Sequence, residues 1–281
     1  MNIALYQQDI VWLDPDANYT KMEDVLRRNP SIDLLVMPEM CTTGFVTQPE
    51  SCNIESALDV EQRLLRLARQ YNTALAGSFA VQVNGSRPAA DIAQTADIAR
   101  TADAAQTAGS NRNRLYFVTP EGGVYHYDKH HLFTPGQEDK GYQAGGQQTI
   151  VEWRGIRFLL AVCYDLRFPV WLRYTDSTPY DILLLVANWP SARQLAWNVL
   201  LRARAIENQA YCIGVNRVGH DQMCEYAGGS MAIHPYGHPV TSCEEGQEGL
   251  CIFSPDMESL ASYRHKFPSL ADADRFLLEE K

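Results

Sequence analysis

Three side chains far apart in the sequence could share one nucleophilic chemistry: Glu39, Lys129 and Cys163. Cys163 follows an apolar run from Ile156 to Val162, interrupted only by Arg157, which reads as a buried strand. A polar stretch and Pro169 come next, and Pro169-Val170-Trp171-Leu172-Arg173 reads as a helix start. A side chain at such a strand-to-turn junction is pushed out of the sheet, beside backbone N–H groups without partners. A nucleophile needs the first and an oxyanion needs the second. Glu39 follows Pro38 at the end of a buried run from Asp33, where an acid is costly unless it is hydrogen-bonded or chemically used. Lys129 ends the run that starts at Val124. Taken singly, each fits a plainer role: a buried structural cysteine, an exposed or capping glutamate, a solvated lysine. Taken together they fit attack on a carbonyl. A thiol attacks as thiolate. A carboxylate can take its proton and later hand it to a leaving amine. An ammonium in the same pocket favours the thiolate and neutralises the oxyanion. No histidine is required, so His130 and His131 read as packing or surface residues.

The elements that must position these residues alternate along the chain. Asn2–Gln7 reads as a strand, and Asp14-Pro15 opens a helix with Met22, Val25 and Leu26 at helical spacing. The strand ending at Glu39 precedes an amphipathic helix over 58–71, with Leu64, Leu65, Leu67 and Ala68 inward. Further strands cover 73–83, 114–119, 124–129, 149–153, 156–162, 181–187, 211–216, 225–237 and 249–253, with a helix from about 191 to 208. A loop rich in Gly, Gln and Asp runs over 134–148. This alternation without a linker predicts a single α/β domain over 1–281. Three near-copies of Ala-Asp-Ile-Ala-Gln-Thr, starting at Ala90, Ala96 and Ala102, mark a low-complexity insertion at about 86–112 between strands that would otherwise form a hairpin. Residues from about 254 onward read as a docking extension.

Composition excludes several classes. With 46% hydrophobic and 21% charged residues, the 281-residue chain can bury a large core. Its net charge of -10 and lack of a basic patch argue against nucleic-acid binding. No apolar run approaches the ~18 residues of a membrane span. The first residues show no basic or hydrophobic leader pattern. Seven cysteines without metal-ligand or disulfide-framework spacing point to reduced thiols in the cytoplasm and to no bound metal.

Three blocks then carry a resemblance. Pro38-Glu39 with Thr43-Gly44-Phe45, Tyr127-Asp128-Lys129-His130-His131-Leu132-Phe133, and Cys163-Tyr164-Asp165-Leu166-Arg167-Phe168-Pro169 resemble, in order and wide spacing, the Glu, Lys and Cys blocks of the nitrilase (carbon–nitrogen hydrolase) superfamily. The last block, with Ala187-Asn188-Trp189-Pro190 and Ala203 to Gln209, looks most like the bacterial omega-amidase branch. The resemblance implies a four-layer α-β-β-α sandwich, a homodimer and no cofactor. It implies a second active-site glutamate, by position Glu138, and substrate binding by Tyr164, Arg167 and Asn188. Arg167 matches a carboxylate-binding position in related carbamoylases; a salt bridge to Asp165 is the other reading. The implied reaction releases ammonia from a small amide of the 2-oxoglutaramate or 2-oxosuccinamate type through a cysteine thioester. Other branches (aliphatic amidase, carbamoylase, nitrilase) and a non-catalytic scaffold are the alternatives. The insertion departs from the family pattern.

Overall fold

Two β-sheets stack face to face in the computed structural model, which describes residues 1–83 and 110–278. The first sheet holds β1 (Ile3–Gln7), β2 (Leu34–Val36), β3 (Glu55–Ser56), β4 (Ala74–Val83), β5 (Ser110–Val118), β6 (Val124–Asp128) and β15 (Gly249–Phe253). Its order is β15-β1-β2-β4-β5-β6, and β3 also pairs with β4. The second holds β7 (Ile150–Trp153), β8 (Ile156–Val162), β9 (Ile182–Ala187), β10 (Tyr211–Asn216), β13 (Met231–Ile233) and β14 (Pro239–Ser242), in the order β14-β13-β10-β9-β8-β7. A separate hairpin pairs β11 (Val218–His220) with β12 (Glu225–Ala227). In each sheet a parallel trio forms the centre: β1, β2 and β4 in one, β8, β9 and β10 in the other.

Strand alternation builds the layers. In β1, Ile3 and Leu5 join the core between the sheets, while Ala4 and Tyr6 join the cluster under α1 (Pro15–Arg28) and α2 (Ala57–Tyr71). β5 repeats this, with Leu115 and Phe117 inward and Tyr116 and Val118 towards the helices. β8 and β9 are buried along their length except at Arg157, which fits strands sandwiched between the other sheet and a helical layer. That layer is α4 (Gln194–Glu207), through Trp197, Leu201 and Ala205, and α5 (Met257–Lys266), through Leu260. The result is an α-β-β-α sandwich.

Local chemistry sets the helix ends. The Asp14 side chain accepts from Ala17 N at 3.0 Å and Pro15 occupies the first turn of α1. Ser56 caps α2, and Asn72 ends it in the left-handed region at φ 50°. The inner face of α2 is Val60, Leu64, Leu67 and Ala68, with Leu65 only half-buried.

Four readings of the sequence change. No helix starts at Pro169. The Asp165 carboxylate folds back onto Val162 N at 2.9 Å, so Cys163–Arg167 closes into a 3-10 turn, and Pro169–Arg173 continues as turns. The strand expected over 225–237 is broken at Gly228 and Gly229, both at positive φ, into β12 and β13. The chain beyond 254 contributes Leu260 to the core, and Arg264 reaches Asp181 Oδ1 at 2.9 Å. Residues 110–112 of the expected insertion are part of β5, with Val83 paired to Ser110; 86–109 fall outside the described residues. Among the described residues no helix is long and apolar enough to cross a membrane.

Candidate active site

Strand ends from both sheets converge on one buried cluster. Glu39 lies just beyond β2, Lys129 beyond β6, Cys163 beyond β8 and Asn188 beyond β9. These strands share a direction within each sheet, so their carboxyl ends open at the same end of the sandwich. Lys129 Nζ lies 2.8 Å from Glu39 Oε1 and 2.8 Å from Glu138 Oε2, and all three side chains are 0% exposed. Glu138 opens α3 (Glu138–Gly141), a single helical turn inside the expected 134–148 loop. It also accepts Phe133 N at 2.6 Å.

One ammonium thus sits between two carboxylates, and neutral donors complete the set. Asn113 Nδ2 donates to Glu39 Oε1 at 2.7 Å and to Glu138 Oε1 at 2.8 Å. Ser78 Oγ donates to Asn113 Oδ1 at 2.9 Å and accepts Met40 N at 2.9 Å. Asn188 N donates to Glu39 Oε2 at 2.8 Å, and its side-chain amide donates to Glu39 O at 2.9 Å. Burial lowers the Lys129 pKa by itself, but the Glu138 and Glu39 charges outweigh it, so the ammonium is held above its ordinary range. Burial pushes the Glu138 carboxyl up, against the pull of Lys129.

Cys163 sits at φ 45°, an αL conformation that a side chain adopts at a cost of about 1–3 kcal/mol. Met40, next to Glu39, and Gln137, next to Glu138, are also left-handed, at φ 43° and 61°. Three abrupt turns therefore aim the cluster. Asp165 holds the Cys163 turn by accepting from Val162 N, Tyr127 OH, His131 N and the His131 ring, all within 3.0 Å. Cys163 Sγ lies 3.9 Å from Asn188 O. Burial first, and the Glu39 carboxylate second, hold the thiol well above its ordinary pKa, while Lys129 pulls the other way. A thiol held so high could attack a carbonyl only if proton loss to the neighbouring carboxylate were coupled to the attack.

Aromatic rings frame the cluster. Phe133 packs edge-on against Tyr164, which packs against Phe168, and the Lys129 ammonium lies over Phe45 at 5.5 Å. The half-buried Arg167 does not reach Asp165, whose partners are those named above. Its guanidinium lies over the Trp189 ring at 4.9 Å, with no anion bound among the described residues. The Asn188 side-chain amide donates to Glu39 O, and its buried Oδ1 has no partner among the described residues. His130 and His131 stack on Trp171 and Phe168, and beyond packing the His131 ring helps hold Asp165. Sequence reasoning missed Asn113, Ser78, Asp165 and Arg193; the last lies over Phe133 at 5.3 Å. A polar residue flanked by Arg112 and Arg114 in a strand was the one available signal for Asn113.

Comparison with known proteins adds to this geometry. A family profile described as carbon–nitrogen hydrolase matches residues 2–265. The chain is 40% identical over 279 residues to omega-amidase YafV of Escherichia coli K12, covering 99% of this chain and 98% of that protein. It is 30% identical to 2-oxoglutaramate amidase of Bacillus subtilis, covering 96% of each. The crystal structure of XC1258 from Xanthomonas campestris, a CN-hydrolase superfamily protein with an arsenic adduct in the active site, superimposes with a TM-score of 0.85 at 35% identity and 99% coverage of both chains.

Proposed function

The chain belongs to the carbon–nitrogen hydrolase family, and on that premise we propose how it acts as an omega-amidase, releasing ammonia from the terminal amide of small dicarboxylic monoamides. The observation that carries the mechanism is the buried Lys129 between Glu39 and Glu138, next to a thiol at a strained strand end. The Cys163 proton passes to Glu39 as Sγ bonds to the amide carbon. The developing oxyanion is met by the Lys129 ammonium and by N–H groups at the start of the Cys163–Arg167 turn. Glu39 returns the proton to the nitrogen, the C–N bond breaks and ammonia leaves a thioester. Water then attacks the thioester carbon while Glu39 takes its proton, and collapse of the second oxyanion frees the acid and the thiol. Glu138 holds Lys129 in place.

Substrate selection rests on Arg167 and Asn188. A half-buried guanidinium with no anionic partner among the described residues, on the turn that carries Cys163, offers a bidentate grip on a carboxylate. The open Oδ1 of Asn188 is an acceptor and suits a substrate N–H rather than an anion. Tyr164, packed against Phe133 and Phe168, supplies an aromatic wall beside that turn. The protein acts in the cytoplasm as a homodimer; the outward, solvent-exposed Leu195, Val199 and Ile206 of α4 support a second copy at that face, and light scattering that returned a monomer mass would overturn this.

Steady-state ammonia release from 2-oxoglutaramate, succinamate and butyramide tests the substrate reading. Wild type should favour the first two, and Arg167→Lys should lose on them by on the order of tenfold or more, ~1.4 kcal/mol, while butyramide stays poor throughout. Equal kcat/KM for all three in the wild type would move the activity to a general aliphatic amidase.

A further inference from the structure

Away from the catalytic cluster, two cysteines approach each other across the edges of the two sheets. Cys243 follows the edge strand β14 of one sheet, and Cys251 lies in the edge strand β15 of the other. Their sulfurs are 2.6 Å apart, within about half an ångström of a ~2.05 Å disulfide bond. Both are free thiols. Backbone bonds fix both in place. Cys251 is paired to Leu5 in the β1–β15 ladder, and Cys243 N donates to Ser230 O at 2.9 Å. Cys243 Sγ also faces Leu5 O at 3.6 Å. The segment between them, 244–248, is an exposed turn, which leaves Cys243 half-buried and reachable while Cys251 is 9% exposed.

We propose that Cys243 and Cys251 are a reversible oxidation site that reacts with low-molecular-weight disulfides to form an intramolecular bridge between the two sheets. The accessible Cys243 thiolate attacks one sulfur of the external disulfide, forming a mixed disulfide and expelling one thiolate. Cys251 then loses its proton to that thiolate and attacks the Cys243 sulfur. The protein disulfide forms and the second external thiolate leaves. The two protein thiols are oxidised by two electrons and the external disulfide is reduced to two thiols. The greater exposure of Cys243, beside the 244–248 turn, makes it the attacking partner. A reduced resting pair agrees with the thiol-keeping environment that the cysteine pattern implies, and the bridge is a response to oxidant rather than a fixed staple.

The test uses full-length protein with Cys163→Ala, so that the nucleophile does not compete, treated with oxidised glutathione and mapped by mass spectrometry. The expected product has lost two hydrogens, carries Cys243 and Cys251 in one linked peptide pair, melts a few degrees higher, and reverts with dithiothreitol. In Cys251→Ser on the same background, Cys243 should stop at the glutathione adduct, since the resolving thiol is gone. If both cysteines stay open to alkylation after treatment, or if Cys243 keeps glutathione while Cys251 is intact, the site is not one. The readout is covalent and independent of amidase activity.

Discussion

The ribbon formed by β5 and β6 carries two ionic clusters with opposite composition on its two faces. On one face Asp128 lies between two guanidiniums, 2.6 Å from Arg114 and 3.9 Å from Arg112. On the other, Lys129 lies between two carboxylates, with Asn113 bridging them. Arg112, Asn113 and Arg114 are consecutive, as are Asp128 and Lys129, so the period of two along a strand is what separates the clusters. The Asp128 cluster reaches the surface, with side chains 7–10% exposed, and Arg112 spends its other donors on Gln143 and Ala144 carbonyls. Excess positive charge there is met by the backbone carbonyls of Gln143 and Ala144. The Lys129 cluster is closed, and its excess negative charge faces a neutral thiol. The first arrangement holds loops together; the second sets an unneutralised carboxylate charge beside a thiol.

The largest test of that division concerns activity. Cys163→Ala should abolish ammonia release with an unchanged thermal melt, because the side chain sits at a strand end rather than in the packed core. Glu39→Gln should cost on the order of a hundredfold to ten-thousandfold in kcat. Lys129→Ala should lose a similar factor and also destabilise, since two buried carboxylates are left without their cation. A folded Lys129→Ala variant with near-wild-type kcat would remove the oxyanion role.

The next test concerns stability. Burial raises the Asp128 carboxyl, but the two hydrogen bonds and the charge of Arg114 outweigh it and leave its pKa below the ordinary range. A depressed carboxyl pKa stabilises the fold above the unfolded-state value, and that contribution disappears as pH falls through the folded value. Asp128→Asn should therefore lower unfolding free energy by about 3–5 kcal/mol at neutral pH, and the gap to wild type should narrow below about pH 4. Urea unfolding at both pH values measures it. Activity per folded molecule should change little. A kcat loss as steep as that of Lys129→Ala, without a stability loss, would erase the distinction between the two faces.

The apolar runs ending at Pro38, Val162 and Ala187 announced the strands that carry Glu39, Cys163 and Asn188, because buried parallel strands have little room for polar residues. Amphipathic spacing gave α2, with Leu65 turned further out than periodicity suggests. What stayed hidden depended on contacts between distant segments. Met40, Gln137 and Cys163 adopt left-handed backbones with no glycine to mark them. Pro169 looked like a helix start, yet a carboxylate held by Tyr127 and His131 from another part of the chain tightens the turn before it. Glu138 is one acid in a polar loop, and only the family resemblance singled it out. Asn113 has a side chain whose partners, Ser78, Glu39 and Glu138, come from three separate segments, so no local pattern could give its role.

Asn113 offers the finest probe of the closed cluster. Its amide donates to both carboxylates, so it limits how far each leans on Lys129. With that donor removed, Glu39 Oε1 keeps only the ammonium and is held less firmly in the geometry that takes the thiol proton. Asn113→Leu, close in shape but without polar atoms, should lower kcat by on the order of tenfold, ~1.4 kcal/mol, with KM changed much less, because the loss falls on proton transfer rather than on binding. The thiol gives a second readout. Burial and the Glu39 charge already raise the Cys163 pKa, so the rate of its alkylation by iodoacetamide should keep climbing as pH passes the ordinary thiol range. A carboxylate stripped of one hydrogen bond presents more of its charge to the thiol, so the profile of Asn113→Leu should shift to still higher pH, and alkylation at neutral pH should slow. A variant with a lower melting temperature but an unshifted alkylation profile and an unchanged kcat would make Asn113 a strut of the β4–β5 ribbon and not a positioning residue for Glu39.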